Sequence, residues 1–212
     1  MSKPPGGRLI VFEGGEGSGK TTQLNHAYRW LSSQLGSSSL VCTKEPGGTS
    51  LGQTLRQAVL SPDEFICPEA ELLMYAADRA QHVRTFLRPH LHQGYWILCD
   101  RYTDSTIAYQ GYGRGLDLNL IHQLNQITTD GLMSHLTFWL DLDVEVGLER
   151  ARLRGVGDRM ERDDLAFHQR VRTGFQLLYE HCPHPMVRID ASLGETQIAN
   201  QIQASLKDHL FP

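Results

Sequence analysis

The sequence predicts an α/β fold in which a five-stranded parallel sheet is covered by helices on both faces. Two observations support this prediction. Five short apolar runs alternate with segments of helical character along the 212 residues, and this alternation is typical of parallel sheets with right-handed crossovers. Polar and charged residues follow several of the apolar runs, at the edge of the sheet where such proteins bind ligands.

A glycine-rich loop joins the first predicted strand, residues 9–13, to a helix that begins near Lys20. Residues 14–21 match the phosphate-loop pattern G-x-x-x-x-G-K-[ST] completely and in the required strand-loop-helix context. Glycines let backbone N–H groups and the helix N-terminus converge on phosphate oxygens, and the lysine reaches the terminal phosphates. The motif predicts a phosphate-loop NTPase fold, with nucleotide bound by Gly14, Gly15, Glu16, Gly17, Ser18, Gly19, Lys20, Thr21 and Thr22. It does not identify the reaction.

The second strand is predicted at residues 40–43, after a helix over 22–35 and a turn of small residues. The segment 44–49, Lys-Glu-Pro-Gly-Gly-Thr, must be irregular, because Pro46 lacks a backbone donor and paired glycines interrupt both periodicities. Thr49 or Ser50 can then cap a helix that carries Arg56.

The third strand is predicted at residues 95–99 and ends in Asp100-Arg101. A long helix precedes it, starting near Pro68, which suits a first turn. After it, residues 103–110 are predicted to be helical, and Gly111, Gly113 and Gly115 are predicted to form a flexible turn.

The last elements are a helix over 117–128, a strand over 136–142, a helix over 144–153, a fifth strand over 186–189 and a terminal helix from about Glu195. A further helix is predicted to end near His181, where Pro183 would interrupt it.

The composition favours a single soluble domain over residues 1–212, with 40% hydrophobic and 21% charged residues. A net charge of −4 argues against general affinity for nucleic acids or anionic membranes. The first residues lack the apolar region of a signal peptide, and no apolar run approaches the length of a membrane span. Four scattered cysteines without C-x-x-C spacing indicate buried, reduced thiols. We therefore expect a cytoplasmic protein with no nucleic-acid or membrane partner.

Charged residues at the ends of strands are candidates for binding phosphate and metal. Arg101 and Arg56 can clamp anionic oxygens with a planar fork of donors, although such arginines also form surface ion pairs. Asp100 can hold Mg²⁺ together with the hydroxyl of Thr21, and its alternative role is to cap the following helix.

A lid is predicted at about residues 150–160, where four arginines are combined with glycines. The alternative interpretation is a solvated helix end, where cations are favoured in any case.

Five segments together resemble the thymidylate kinase family: Phe12-Glu13-Gly14, residues 44–49, Ala-Ala-Asp-Arg-Ala-Gln-His at 76–82, Asp-Arg-Tyr at 100–102 and Ser-Thr-Ile-Ala-Tyr-Gln at 105–110. The resemblance runs through nearly the whole chain. It implies a nucleotide kinase fold and an ATP-dependent, Mg²⁺-assisted phosphorylation of dTMP to dTDP for dTTP synthesis. It also implies a homodimer.

The resemblance further implies how dTMP is bound. Arg101 and Arg56 would hold its phosphate, Arg79 would hydrogen-bond the thymine edge, and Tyr75 would stack on the base, where the family often has phenylalanine. Ser105 and Gln110 would form the polar floor of the base pocket, and Tyr109 would lie against the sugar. Glu45 and Pro46, with a cis bond between them, would belong to the loop that binds dTMP. Glu13 would meet the sugar 3′-hydroxyl or the metal shell.

The phosphate loop contains Glu16 and Ser18 but no arginine. By resemblance to the branch of the family with such loops, the lid must supply the transition-state arginine. Arg154 is the first choice, with Arg150, Arg152 and Arg159 as rivals. The predicted catalytic residues are Lys20, Arg101, Arg154 and Glu13.

Two other functions remain open from the sequence. One is a kinase for a different nucleoside monophosphate or for a deoxynucleoside, in which Glu13 would act as a base. The other is a nucleotide-dependent switch, which the absence of an Asn-Lys-x-Asp motif disfavours.

Overall fold

The protein is described by a computed structural model that covers residues 6–62, 65–153, 155, 157–181 and 183–210. Within these ranges five strands are present: β1 (Arg8–Glu13), β2 (Leu40–Lys44), β3 (Trp96–Asp100), β4 (Leu136–Asp141) and β5 (Met186–Asp190). They form one parallel sheet in the order β2-β3-β1-β4-β5. The predicted fold class is confirmed.

Nine α-helices occur in the described ranges: α1 (Lys20–Leu35), α2 (Ser50–Val59), α3 (Pro68–His82), α4 (Arg88–His92), α5 (Thr103–Thr106), α6 (Leu118–Thr129), α7 (Val144–Arg152), α8 (Leu165–His181) and α9 (Glu195–Leu210). A π-helical segment, Val83–Leu87, joins α3 to α4, and a second, Ile107–Gly113, continues α5. For α8, only the C-terminal end was predicted from the sequence. The described ranges contain no helix that is long and apolar enough to cross a membrane.

The two faces of the sheet are buried against different helices, as the alternation of side chains along a strand requires. In β1, Ile10 and Phe12 pack in a cluster that includes Leu24 and Leu31 of α1 and Ile202 of α9. The intervening residues of β1, Leu9 and Val11, pack instead with Val83 and Leu87 of the first π-helical segment. The central strand is therefore buried on both sides, and its carboxyl end leads directly into the phosphate loop.

The predicted flexible turn at the glycines of 111–115 is wrong for Gly111 and Gly113. Both are buried within the second π-helical segment. A Cβ on Gly113 would lie 2.7 Å from the ring of Phe167 in α8, so the absence of a side chain allows close packing there. Only Gly115, with φ of +79°, lies in the turn that follows.

The expectation of buried cysteines holds for Cys99 of β3 and fails for Cys42 and Cys67, which are exposed. Cys42 belongs to β2, which lies at an edge of the sheet and is covered less completely than the central strands. Cys182 lies outside the described residues.

Candidate active site

The phosphate loop connects the end of β1 to the start of α1 and is braced by Lys20. The Lys20 Nζ atom donates to the carbonyl oxygens of Gly14 at 3.1 Å and Gly15 at 2.7 Å. Gly14, Gly17 and Gly19 have φ angles of +142°, +65° and +86°, a region that side chains disfavour. Burial, together with the positive charge of Arg101, lowers the pKa of Lys20 to about 8.

Gly17 packs directly against Gly147 of α7. A Cβ on Gly17 would overlap the carbonyl oxygen of Gly147, and a Cβ on Gly147 would overlap the carbonyl oxygen of Glu16. The two glycines therefore allow the loop and the helix to approach each other closely.

We expect a Gly17→Ala variant to displace the phosphate loop and to lower the free energy of unfolding by about 2 kcal/mol or more, since overlap adds to strain at positive φ. Urea unfolding and ADP titration measure the two effects. Gly19→Ala is the matched control, because Gly19 also has positive φ but has no neighbouring atom within 4 Å of its Cβ position. An equal loss of unfolding free energy in the two variants would contradict the role of the contact with Gly147.

Thr21 and Asp100 lie together beside a cavity of about 320 Å³ that the phosphate loop lines. The Thr21 hydroxyl donates to the Asp100 carboxylate at 2.9 Å. Hydroxyl and carboxylate oxygens are the ligands that Mg²⁺ prefers, so the pair fits the metal predicted from the sequence. Arg56 and Arg101 line the same cavity.

Arg101 lies between the phosphate loop and a second cavity. Its guanidinium donates to the carbonyl oxygen of Gly14 at 3.0 Å, to Ser105 Oγ at 3.1 Å, to Tyr109 Oη at 3.0 Å and to Glu16 Oε1 at 2.7 Å. Burial tends to raise the pKa of Glu16, but the charges of Arg101 and Lys20 outweigh it and lower this pKa to about 2. Glu16 is therefore a carboxylate at neutral pH.

Glu13 is placed differently from the sequence prediction. Its Oε1 accepts the backbone N–H groups of Tyr102 at 2.8 Å and Ser105 at 3.2 Å, and its Oε2 accepts the Ser105 hydroxyl at 2.6 Å. The side chain is fully buried and does not line the second cavity, whereas Glu16 does. The structure therefore does not bring Glu13 to the second cavity: its carboxyl group holds the start of α5.

Glu13 makes a testable contribution to the pH dependence of stability. Burial, with the nearby charge of Asp104, raises its pKa from 4.5 to about 7. Between these two values the native protein binds more protons than the unfolded chain, so rising pH lowers the free energy of unfolding. The stabilisation that Glu13 provides is complete at pH values below its pKa in the unfolded chain. It is lost as the pH rises through the pKa of Glu13 in the native protein.

We expect a Glu13→Gln variant to lose this component, which amounts to at most about 1.4 kcal/mol per pH unit for one proton. Urea unfolding of both proteins across the window between the two pKa values measures the difference. Parallel pH profiles in the two proteins would contradict the raised pKa.

The second cavity, called here the acceptor cavity, has a volume of about 100 Å³. The structure brings the predicted substrate-binding residues together around it, except for Glu13. Those lining it are Glu45, Pro46, Arg56, Tyr75, Arg79, Arg101, Ser105, Tyr109 and Gln110. The Glu45-Pro46 bond is cis, and Arg56 Nη1 donates to the Pro46 carbonyl oxygen at 3.0 Å.

Arg79 is held by a buried network behind the acceptor cavity. It donates to Glu45 Oε2 at 2.8 Å, to Asn125 Oδ1 at 2.8 Å and to the Tyr102 carbonyl oxygen at 3.0 Å. Glu45 is bonded in turn to His82 at 2.8 Å. Three of the five guanidinium N–H groups suffice for these contacts, so Arg79 retains donors for a ligand. Neither the position of Asn125 in this network nor a role for His82 was predicted from the sequence.

The segment predicted to form a lid is connected to the acceptor cavity through Glu71, a buried residue of α3 that was not predicted from the sequence. Its carboxylate accepts from Gln110 at 2.7 Å, from Arg114 at 3.1 Å and from Arg159. Arg114 also forms two hydrogen bonds of 2.7 Å to Asp163. Arg159 is therefore bound close to the acceptor cavity through Glu71.

The other predicted lid arginines differ in their placement. Arg150 donates to the Ala191 carbonyl oxygen at 3.3 Å and lines a cavity of about 360 Å³ on the outer side of the phosphate loop. Thr22, Ala191 and Leu193 also line it, and we call it the donor cavity. Arg152 is exposed, and Arg154 lies outside the described residues.

Comparisons with known proteins agree on one family. A family model described as thymidylate kinase matches residues 12–202. The thymidylate kinase of Cyanothece sp. strain PCC 7425 is 56% identical over 97% of this chain and 95% of its own length, and that of Acaryochloris marina is 52% identical over 96% and 97%. The crystal structure of thymidylate kinase from Ehrlichia chaffeensis superimposes with a TM-score of 0.78 at 35% identity, covering 95% of this chain and 99% of that chain.

Proposed function

The chain belongs to the thymidylate kinase family, and we propose that its phosphate loop and acceptor cavity carry out the family's reaction in the manner described below. The protein is a phosphotransferase that uses ATP to convert dTMP to dTDP. One observation carries the assignment of the site. Arg101 contacts both the phosphate loop, at Gly14, and the acceptor cavity, at Ser105 and Tyr109. A phosphate held by Arg101 in the acceptor cavity is thus next to the terminal phosphate of a nucleotide in the loop.

ATP binds with its phosphates on the backbone N–H groups of the loop and on Lys20. Its base enters the donor cavity, beside Arg150 and Leu193. This orientation directs the γ-phosphate towards Arg101.

The acceptor dTMP lies across from ATP, with its phosphate on Arg56 and Arg101. Its base stacks on Tyr75 and is hydrogen-bonded by Arg79 and Gln110, which line the same cavity.

The sugar of dTMP lies against Tyr109, and Glu16 takes the role that the sequence analysis gave to Glu13. Glu16 is ionised and lines the acceptor cavity, so it accepts a hydrogen bond from the 3′-hydroxyl.

In the transfer step an oxygen of the dTMP phosphate forms a bond to the γ-phosphorus. The bond from that phosphorus to the β–γ bridging oxygen breaks, and ADP leaves with the electron pair. The second pKa of a phosphate monoester is about 6, so the attacking oxygen is already ionised and no general base is required. Lys20, Arg101 and the lid arginines offset the negative charge of the two nucleotides.

Thr21 and Asp100 would hold Mg²⁺, which would offset negative charge on the bound nucleotide. We expect Asp100→Asn to raise the Mg²⁺ concentration required for half-maximal rate by about 10- to 100-fold, as loss of a supporting carboxylate does elsewhere. Rates measured against Mg²⁺ at fixed free ATP test this. Asp208→Asn, at an exposed position in α9, is the control, and an unchanged requirement in Asp100→Asn would remove this residue from the metal site.

We further propose a cytoplasmic homodimer that forms through α3 and α6, which pack side by side. Leu73 of α3 is 57% exposed, and Leu120 and Ile127 of α6 are 44% and 72% exposed. Leu120 and Ile127 are seven residues apart and so lie on one side of the helix. Sedimentation equilibrium gives the mass in solution.

The activity is tested by measuring ADP production from ATP with dTMP, dUMP, UMP, CMP, AMP, GMP or thymidine supplied one at a time. We expect turnover with dTMP, weaker turnover with dUMP and none with thymidine, which lacks the phosphate that Arg56 and Arg101 bind. Preference for another monophosphate would overturn the roles of Tyr75, Arg79 and Gln110. Turnover with thymidine would overturn the role of the arginine pair.

A further inference from the structure

Glu71 of α3 is a fully buried carboxylate on which three donors converge. It accepts hydrogen bonds from Gln110 Nε2 at 2.7 Å, from Arg114 Nη2 at 3.1 Å and from Arg159. Gln110 lines the acceptor cavity, but Glu71 is not among the described residues that do so. Glu71 can therefore act on a nucleotide in this cavity only through a neighbouring side chain, and Gln110 provides that connection.

The position of the Glu71 carboxylate is fixed from two further segments of the chain. Arg114 bonds to Glu71 and also forms two hydrogen bonds of 2.7 Å to Asp163. Arg159 bonds to Glu71 and also donates to a backbone carbonyl oxygen at the end of α2, at 3.0 Å. A carboxylate held by two anchored guanidinium groups cannot turn away from Gln110.

The contact with Glu71 determines the orientation of the Gln110 side-chain amide. An ionised carboxylate only accepts hydrogen bonds, so the half of the amide that faces Glu71 must be the donor, Nε2. The reversed amide would place two acceptors against each other. No described residue donates to the other atom, Oε1, and Oε1 is not among the enclosed side-chain atoms that lack a partner. Gln110 therefore offers a hydrogen-bond acceptor to the acceptor cavity that it lines.

The hydrogen-bonding edges of the pyrimidines differ in a way that this orientation can distinguish. Thymine and uracil present a carbonyl acceptor, O4, beside the donor N3–H, whereas cytosine presents an amino donor beside a ring nitrogen that accepts. Arg79, which lines the same cavity, can only donate, and Gln110 as fixed by Glu71 accepts. This donor and acceptor match the edge of thymine or uracil and oppose the edge of cytosine at both positions.

We propose that Glu71 is a positioning residue that makes the site select thymine or uracil over cytosine, because it holds the Gln110 amide with its acceptor towards the base. This proposal rests on the proposed function, in which Arg79 and Gln110 bind the base edge. If the amide could reverse, its Nε2 would donate to the ring nitrogen of cytosine, and one of the two mismatches would be removed. Glu71 thus disfavours cytosine without contacting it.

The test compares the dissociation constants of dTMP, dUMP and dCMP in the wild-type protein and in a Glu71→Gln variant. Each nucleotide is titrated into the ¹⁵N-labelled full-length protein and amide shifts are recorded. A glutamine at position 71 can bond to either orientation of the Gln110 amide. We expect the preference for dTMP over dCMP to fall by about tenfold or more, the value of one hydrogen bond lost or gained.

The ratio of the dTMP and dUMP constants should stay the same in Glu71→Gln, because the two bases have the same O4 and N3–H edge. A general loosening of the site would weaken all three nucleotides by one common factor. A change confined to dCMP relative to the other two is therefore the result that a merely structural role of Glu71 would not produce.

Exchange of the two side chains provides a rescue. In the double variant Glu71→Gln with Gln110→Glu, the glutamine donates to the carboxylate at position 110, and the net charge of the protein is unchanged. A carboxylate is an acceptor in either orientation, so the preference for dTMP over dCMP should return to within about threefold of the wild-type value. The exchanged protein also decides the question if Glu71→Gln alone does not fold, since a lost preference in it would overturn the proposal.

Asp163→Asn is the matched control. It weakens the other anchor of Arg114 and leaves the bond between Glu71 and Gln110 in place, so the preference for dTMP over dCMP should be retained. A Glu71→Gln protein with the wild-type preference, or an equal loss in Asp163→Asn, would overturn the role of Glu71.

The binding measurement needs no turnover and separates this proposal from the proposed function. A wild-type protein that binds dCMP as tightly as dTMP would overturn the proposed contacts of Arg79 and Gln110 with the base. A wild-type protein that prefers dTMP, combined with an unchanged preference in Glu71→Gln, would overturn the role of Glu71 alone.

Discussion

Replacement of Lys20 by methionine is expected to reduce kcat by about 10²- to 10³-fold, the loss typical for removal of one preorganised group that stabilises transition-state charge. Lys20 begins α1 and is the ammonium group that braces the phosphate loop at Gly14 and Gly15. Without it, the γ-phosphate loses a positive charge at the moment when two anions are brought together.

The loss of kcat in Lys20→Met should not result from a loss of folding stability. Because burial lowers the pKa of Lys20, the native state carries a cost for the charged ammonium that methionine does not have. The midpoint of thermal unfolding should therefore stay the same or rise, while single-turnover rates with ATP and dTMP fall. Lys207→Met, at an exposed position of α9, is the control, and a Lys20→Met protein with ordinary turnover would refute the assignment.

Arg101→Lys is expected to lower kcat/KM for dTMP by about 10²-fold, mainly through KM, with a smaller change in the KM for ATP. Lysine keeps the positive charge but has no planar fork of donors. It cannot donate to Gly14, Ser105, Glu16 and Tyr109 in the arrangement that Arg101 forms. In the variant the positive charge should still attract the acceptor phosphate, but the phosphate should no longer be held in a fixed orientation.

Steady-state kinetics with each substrate varied in turn separate these effects. Arg172→Lys is the matched control, because Arg172 also pairs with a carboxylate, that of Asp141 at 2.8 Å, but is far more exposed than Arg101. If the Arg101 variant kept the wild-type KM for dTMP, the fork would not be the element that binds the acceptor.

The fold and the phosphate loop could be predicted because their determinants are local. The glycine pattern and the helix that starts at Lys20 occupy one short stretch, and each strand contains a short run rich in apolar residues. The sequence did not predict the order of the strands, because pairing depends on contacts between distant segments.

Local sequence patterns did not predict the environment of side chains whose partners lie far away in the chain. Glu71 is bonded to Arg114, 43 residues away, and Arg114 to Asp163, 49 residues away. Asn125 and Arg79 are separated by 46 residues. A charged residue on a helix normally faces water, and only the assembled structure shows that Glu71 is fully buried.

The exchange between Glu13 and Glu16 has a more specific cause. Both are acidic residues near the end of the first strand, and the sequence contains no signal for which one lines the acceptor cavity. The backbone of Gly14, with φ of +142°, turns the chain between them. Glu13 consequently lies beneath α5, and Glu16 lies at the acceptor cavity.

The contact between Gly17 and Gly147 makes α7 and the phosphate loop move as one unit. Because α7 is seated on the loop at Gly147, its first turns cannot shift without displacing the loop. A side chain at Gly147 is therefore expected to weaken nucleotide binding from a position outside the loop itself.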